Sequence, residues 1–161
     1  MDRLEFREVD FTLTKAFPEL ELRMAPRALR GFSSALLKAS DFTMELEQHP
    51  VKLSKWVAGI ERQLHSKVSI GSAIASGIEL EGGARAKISI QSPNDVRPGL
   101  AQLIPKHPFE LETIEIEFEY DRARHKAVLS TDSTLRYGTK MPDDVLSILR
   151  SSFEATRAAK E

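Results

Sequence analysis

Between residues 109 and 120, apolar and acidic side chains alternate with period two, and this stretch constrains the fold more than any other. Ile114, Ile116, Phe118 and Tyr120 share one side of an extended chain, and Glu115, Glu117 and Glu119 share the other. A helix would scatter both sets around its axis. A strand sorts them onto two faces, one for a core and one for water. Earlier in the run the phase is reversed, with Phe109 and Leu111 apolar, so the register must shift by one residue near Thr113. A β-bulge produces that shift. The polar residues 121–126 then predict a turn, and 127–137 predict a returning partner strand.

The rest of the chain supplies partners for this strand. Residues 2–16 fit two patterns. Asp2 with Glu5 resembles a capping box, and Phe6, Val9 and Leu13 fit one helical face. Val9, Phe11 and Leu13 also alternate with polar residues, and a second alternating set, Leu20, Leu22 and Met24, favours a strand pair turning over 15–19. Pro26 suits the first turn of a helix carrying Leu29, Phe32, Leu36 and Leu37. Residues 41–48 read either as a strand or as another helical turn. From 51 to 66, Leu53, Trp56, Val57, Ile60 and Leu64 form one apolar stripe of an amphipathic helix. The small residues of 68–77 suit a buried strand or a tight crossing. Residues 78–91 read as a hairpin turning at Gly82-Gly83, and 98–104 as a short helix. A last helix starts near Pro142 with Asp143 and Asp144 in its first turn, and buries Val145, Leu146, Leu149 and Phe153. The expected fold is α+β: an antiparallel sheet, two or three helices inserted after the first strands, and a C-terminal helix packed on the sheet. One globular domain over 1–161 is expected, with 155–161 frayed.

Composition removes whole classes of function. A chain of 161 residues buries roughly 70% of its unfolded surface and needs no covalent staple. The absence of cysteine excludes disulfides, thiolate metal sites and a cysteine nucleophile. With 23 basic against 24 acidic residues, there is no global attraction to nucleic acid or to an anionic membrane. The charged N-terminus lacks the apolar run of a secretory signal, and no apolar run is long enough to span a bilayer, so a cytoplasmic location is expected.

Local chemistry is sparse. His49, His65, His107 and His125 show no metal-ligand spacing, and surface or capping roles account for them. Gly82-Gly83 belongs to no phosphate-binding pattern, and there is no GxSxG nucleophile elbow. Ser33-Ser34 and Ser151-Ser152 have no neighbouring base. No catalytic residue, metal ligand or cofactor is therefore assigned. Trp56 reads as a core residue, and 68–77 as close packing rather than the lining of a cavity.

The carboxylate row of Glu115, Glu117 and Glu119 stands out, because its members lie about 7 Å apart along one strand face. Such crowding raises carboxylate pKa values unless cations lie across from it. Lysines or arginines on the neighbouring strand would make it a solvated outer face. Otherwise it is an acidic docking strip, or a carboxylate pair for metal or catalysis. Arg122, Arg124, His125 and Lys126 gather at the adjoining hairpin tip.

These residues form the candidate binding surface of a non-enzymatic intracellular protein-binding module: an adaptor, a chaperone or an inhibitor-like (immunity-like) protein. Its expected partner is another protein, or a second copy of the chain in a homo-oligomer, rather than nucleic acid or membrane. Two alternatives stand beside it. The element order resembles in outline the helix-grip arrangement, in which a C-terminal helix closes a sheet-lined cavity for an apolar ligand. The chain also suits a structural assembly subunit of a viral or secretion machine.

Overall fold

Each apolar period in the sequence needs a partner surface, and the computed structural model describes where residues 8–15, 17–23, 29–103 and 108–156 find theirs. The chain divides into two units, Met1–Gln48 and His49–Glu161. In the first unit, β1 (Asp10–Leu13) pairs antiparallel with β2 (Leu20–Arg23), from Asp10 opposite Arg23 to Leu13 opposite Leu20. Over Asp10–Leu13 this is the strand of the two patterns; Asp2, Glu5 and Phe6 of the helical pattern lie outside the described residues. The amide of Thr14 donates to the Glu19 carbonyl at 2.9 Å and closes the turn. Helix α1 (Arg30–Ala39) follows; Pro26 lies outside the described residues. Phe32 meets Phe11 edge to face at 5.4 Å. Residues 41–48 form neither a strand nor a helical turn. Asp41 and Phe42 take left-handed conformations (φ 49° and 57°), and the amide of Phe42 donates back to Leu37, which stops the helix.

The second unit begins with α2 (Leu53–Leu64), which buries Leu53, Trp56, Val57 and Ile60 along the expected stripe. It ends where His65 turns left-handed. The sheet contains β3 (Ser69–Glu79), β4 (Arg85–Gln91), β5 (Glu110–Tyr120), β6 (Ala123–Ser130) and β7 (Leu135–Tyr137) in the spatial order β4-β3-β5-β6-β7. All neighbours are antiparallel. The short helix α3 (Arg97–Leu103) carries the chain from β4, past β3, to β5. Segments 68–77 and 78–81, separate in the sequence reading, are largely one strand. β3 bulges between Ala75 and Ile78, where Gly77 takes φ 70°, a conformation costly for any residue with a Cβ.

The bulge expected in the long acidic strand lies where the phase reverses. Ile74 pairs with Thr113 and Ala75 with Leu111, which leaves Glu112 as the extra residue of β5. Its carbonyl is not wasted, since it accepts the amide of Thr131 at 2.9 Å. Downstream of the bulge, Ile114, Ile116 and Phe118 are buried beside Ala73 and Ala75 of β3 and Ala127 and Leu129 of β6. The returning segment 127–137 is two strands, not one. Ser133 takes φ 65°, the amide of Thr134 bonds the Asp132 carboxylate, and β7 folds back on β6.

The C-terminal helix α4 (Asp143–Phe153) buries Val145, Leu146, Leu149 and Phe153 and packs along α2. Trp56 donates its indole N–H to the Leu149 carbonyl at 3.1 Å and meets Phe153 edge to face at 4.8 Å. The helices approach closely because α2 has a glycine at the crossing. A Cβ on Gly59 would stand 2.8 Å from the Ser152 carbonyl oxygen. After α4, Glu154–Thr156 form a 3-10 turn with Thr156 buried, and 157–161, most of the end expected to fray, lie outside the described residues. The architecture is the α+β arrangement expected from the sequence, with an antiparallel sheet and a C-terminal helix.

Candidate functional site

The face of a strand is decided by its buried neighbours. Because Ile114, Ile116 and Phe118 point into the core, Glu115, Glu117 and Glu119 point to the outer face of the sheet. The β5–β6 hairpin register then determines what stands beside them. Glu117 is opposite Lys126, and Glu119 is opposite Arg124. The Lys126 ammonium lies 3.6 Å from both Glu115 and Glu117, and Arg124 reaches diagonally to Glu117 at 3.4 Å. The cations are therefore interleaved with the carboxylates. This is the solvated, cation-matched face, not a bare acidic strip.

The turn is shorter than the polar run 121–126 suggested. Asp121 and Arg122 alone form it, both with positive φ (48° and 61°), as a two-residue hairpin turn requires. Arg124, His125 and Lys126 consequently belong to β6 rather than to a loop. Alternation along β6 separates them. Arg124 and Lys126 face outward, whereas His125 is on the other face, with its ring 5.8 Å from that of Phe118 across the strand pair. Of the seven candidate residues, Glu115, Glu117, Glu119, Arg124 and Lys126 share one face, Arg122 occupies the turn, and His125 lies apart from them.

The outer face is wet but not uniformly so. Arg124 and Lys126 side chains are 78% and 60% exposed, whereas Glu117 between them is 23% exposed. Ion pairs with such exposed cations contribute at most about 1 kcal/mol each. Their value lies in geometry, because the strand backbone fixes where each charge stands. Beside the row is an open groove of about 490 Å³, lined by Gly71, Ser72, Gln91, Ser92, Pro93, Glu115, Glu117 and Lys126. Gly71 helps to form it. Ile70 pairs with Ile116 and Ser72 with Glu115, so Gly71 is an extra, bulged residue of β3 with no side chain to fill the space. The small residues of 68–77 thus open a depression on the outer face, while Ala73 and Ala75 pack tightly on the inner one.

Three further polar constellations were not legible in the sequence. Arg97 binds the Asp95 carboxylate through Nε and Nη2 (2.7–3.1 Å), contacts Glu61 at 3.2 Å and also donates to the Val68 carbonyl. Glu61 in turn accepts the Val68 amide at 3.1 Å. The cluster ties α2, the start of β3 and the entry to α3. Burial pushes the Asp95 carboxyl up, but hydrogen bonds and charge from Arg97 outweigh it and hold it below its ordinary 3.8. At the far end of β5, the Tyr120 hydroxyl donates to Asp144 at 2.7 Å, which raises the tyrosine and lowers the aspartate from their ordinary values. Near the end of α4, an open depression of about 250 Å³ lies against Gly59, Arg62 and Gln63 of α2.

Among the described residues, no three His, Asp or Glu side chains gather so as to hold a metal ion. No helix among them is long and apolar enough to cross a membrane. His107 lies outside the described residues. What the outer face can do is bind: it offers alternating fixed charges, exchangeable ion pairs and an adjoining groove with backbone and hydroxyl groups. Compared with protein-family models, with curated proteins and with solved structures, the chain matches none.

Proposed function

We propose that this chain is a non-enzymatic, intracellular protein-binding module that recognises its partner through the outer face of the five-stranded sheet. The observation carrying this reading is the β5–β6 register, which brings Glu115, Glu117, Glu119, Arg124 and Lys126 to one exposed face beside the groove at Gly71. A partner with the opposite alternation of charge can take over these ion pairs without ordering any loop, so little conformational entropy is lost on binding. An adaptor, a chaperone and an inhibitor-like protein all use such a surface in the same way.

The interior supports this reading over an apolar-ligand carrier. Trp56, Ile60, Ile114, Ile116, Leu129 and Leu149 are each at most 2% exposed. Side chains with so little surface reachable by a water-sized sphere do not line a cavity for a larger ligand.

The test compares capture by the wild-type chain with capture by Glu115→Gln/Glu117→Gln/Glu119→Gln and by Lys126→Glu, from lysate of the native cell. A partner held by the wild type and lost by both variants, with unfolding transitions showing all three folded, is the expected result. A partner retained by both variants would move the site elsewhere, and no partner at all would end the reading.

A further inference from the structure

Among the described residues, strand β4 has a neighbour on one side only. The hydrogen bonds flanking its ladder to β3 run from the Ser92 amide to the Gly71 carbonyl (2.9 Å) and from the Leu80 amide to the Ala84 carbonyl (2.8 Å). Antiparallel ladders alternate, so backbone groups of Ala86, Ile88 and Ile90 face β3, and those of Arg85, Lys87, Ser89 and Gln91 face outward. Among the described residues, no hydrogen bond reaches these outward groups.

The strand is self-complementary in one register. A second β4 running antiparallel can pair only outward residues with outward residues. Centred on Lys87, the pairing sets lysine directly against lysine. Centred on Ser89, it leaves Arg85 without a partner. Centred on Ile88, it sets Lys87 against Ser89 and Arg85 against Gln91, so all the outward groups of both copies are paired and no like charges stand opposite. Ile88 then meets Ile88 of the second copy in the closely spaced site between hydrogen-bonded pairs, and Ala86 meets Ile90. Both contacts extend the apolar face that carries Ile78, Ala75 and Ala73 on β3. Lysine on an edge strand normally guards against such pairing. Here the Lys87 ammonium is already bound to the Glu112 carboxylate, at the bulge of β5.

We propose that β4 is a homodimerisation edge: two copies join antiparallel about Ile88 and merge their five-stranded sheets into one continuous sheet. This proposal rests on the strand edge rather than on the outer charged face, so dimerisation and partner capture can fail separately.

Two variants of the full chain test it. Ser89→Pro removes an outward amide, leaves the β3 ladder intact, and by symmetry removes two hydrogen bonds from the dimer. In sedimentation velocity over a concentration series, the wild type should form a dimer and Ser89→Pro should weaken it by about thirtyfold. Circular dichroism checks that the variant is folded. The second variant, Ile88→Cys, supplies the sole thiol of a cysteine-free chain. Mild oxidation should convert it to a covalent dimer, because directly opposed positions in the closely spaced site suit a disulfide, whereas Ser89→Cys should cross-link poorly. A wild type that stays monomeric throughout, a folded Ser89→Pro that dimerises as tightly as the wild type, or preferential cross-linking at position 89 would each overturn the proposal.

Discussion

Replacing Gly59 by alanine should destabilise the protein even though alanine is the better helix former. Two opposing effects set the magnitude. In the interior of α2, alanine gains about 1 kcal/mol over glycine in helix propensity. Against that, the new methyl would lie 2.8 Å from the Ser152 carbonyl oxygen, 3.0 Å from the Ala155 Cβ and 3.3 Å from the Ser152 Cβ. The first of these is backbone and cannot rotate away, so α4 must shift by several tenths of an ångström. Overpacking of this kind costs about 2–3 kcal/mol. The net loss is about 1–2 kcal/mol, or a fall in Tm of about 4–8 °C for a unit of this size. Trp56 lies in the same interface, hydrogen-bonded to Leu149, and as the only tryptophan it makes urea unfolding by fluorescence a direct assay. Gly31→Ala in α1 is the control. Nothing lies within 4 Å of its added methyl, so it should be neutral or stabilising by up to about 1 kcal/mol. If Gly59→Ala proves as stable as Gly31→Ala, the close α2–α4 approach is wrong.

Trp56→Phe keeps an aromatic ring but removes the indole donor to the Leu149 carbonyl, which still accepts from the Ser152 hydroxyl at 2.8 Å, and with the smaller ring should lose about 1–3 kcal/mol in urea denaturation followed by circular dichroism. Arg97→Ala should lose about 1–3 kcal/mol at neutral pH. Because Asp95 is held below 3.8 in the folded chain, its contribution is present above about pH 4 and disappears as pH falls through the folded value. The stability gap between wild type and Arg97→Ala should therefore narrow below pH 4; a gap constant across that range would refute the assignment. Lys126→Ala should cost no more than about 1 kcal/mol, whereas Lys126→Glu adds a carboxylate between Glu115 and Glu117 and should cost more. Added salt should restore part of the Lys126→Glu loss, which thermal melts in low and high salt would read.

The parts of the fold legible in the sequence are those where apolar and polar residues contrast strongly. Ile114, Ile116 and Phe118 against three glutamates declare a strand, and the reversal at Thr113 declares its bulge, because period two leaves no other way to change faces. The stripe of α2 was equally readable. Legibility fails where that contrast disappears. Small residues line both faces of β3, so its full length could not be seen. Arg124, His125 and Lys126 resembled a loop because all are polar, yet the turn needs only Asp121 and Arg122, and their left-handed backbone is not written in composition. Phe42, Met44 and Leu46 alternate as a strand would but belong to none. The Arg97 cluster joins residues brought together only by the fold, with Glu61 far upstream in α2. For the candidate site, the row itself was visible, but its neutralisation by β6 depended on a register that one sequence does not specify.

The extra residue at Glu112 works like a shift of reading frame within a strand. Upstream and downstream halves of β5 each alternate correctly, and one unpaired residue keeps the two frames apart. Removing Glu112 would place Leu111 and Thr113 in consecutive positions opposite Ala75 and Ile74, so the inward and outward sets would continue in one regular ladder. Removing a residue between 114 and 120 would instead turn either the glutamates or the core residues to the wrong side. Insertions and deletions in this strand should therefore accumulate at one position over evolutionary time, where a change of length leaves every other side chain on its own face.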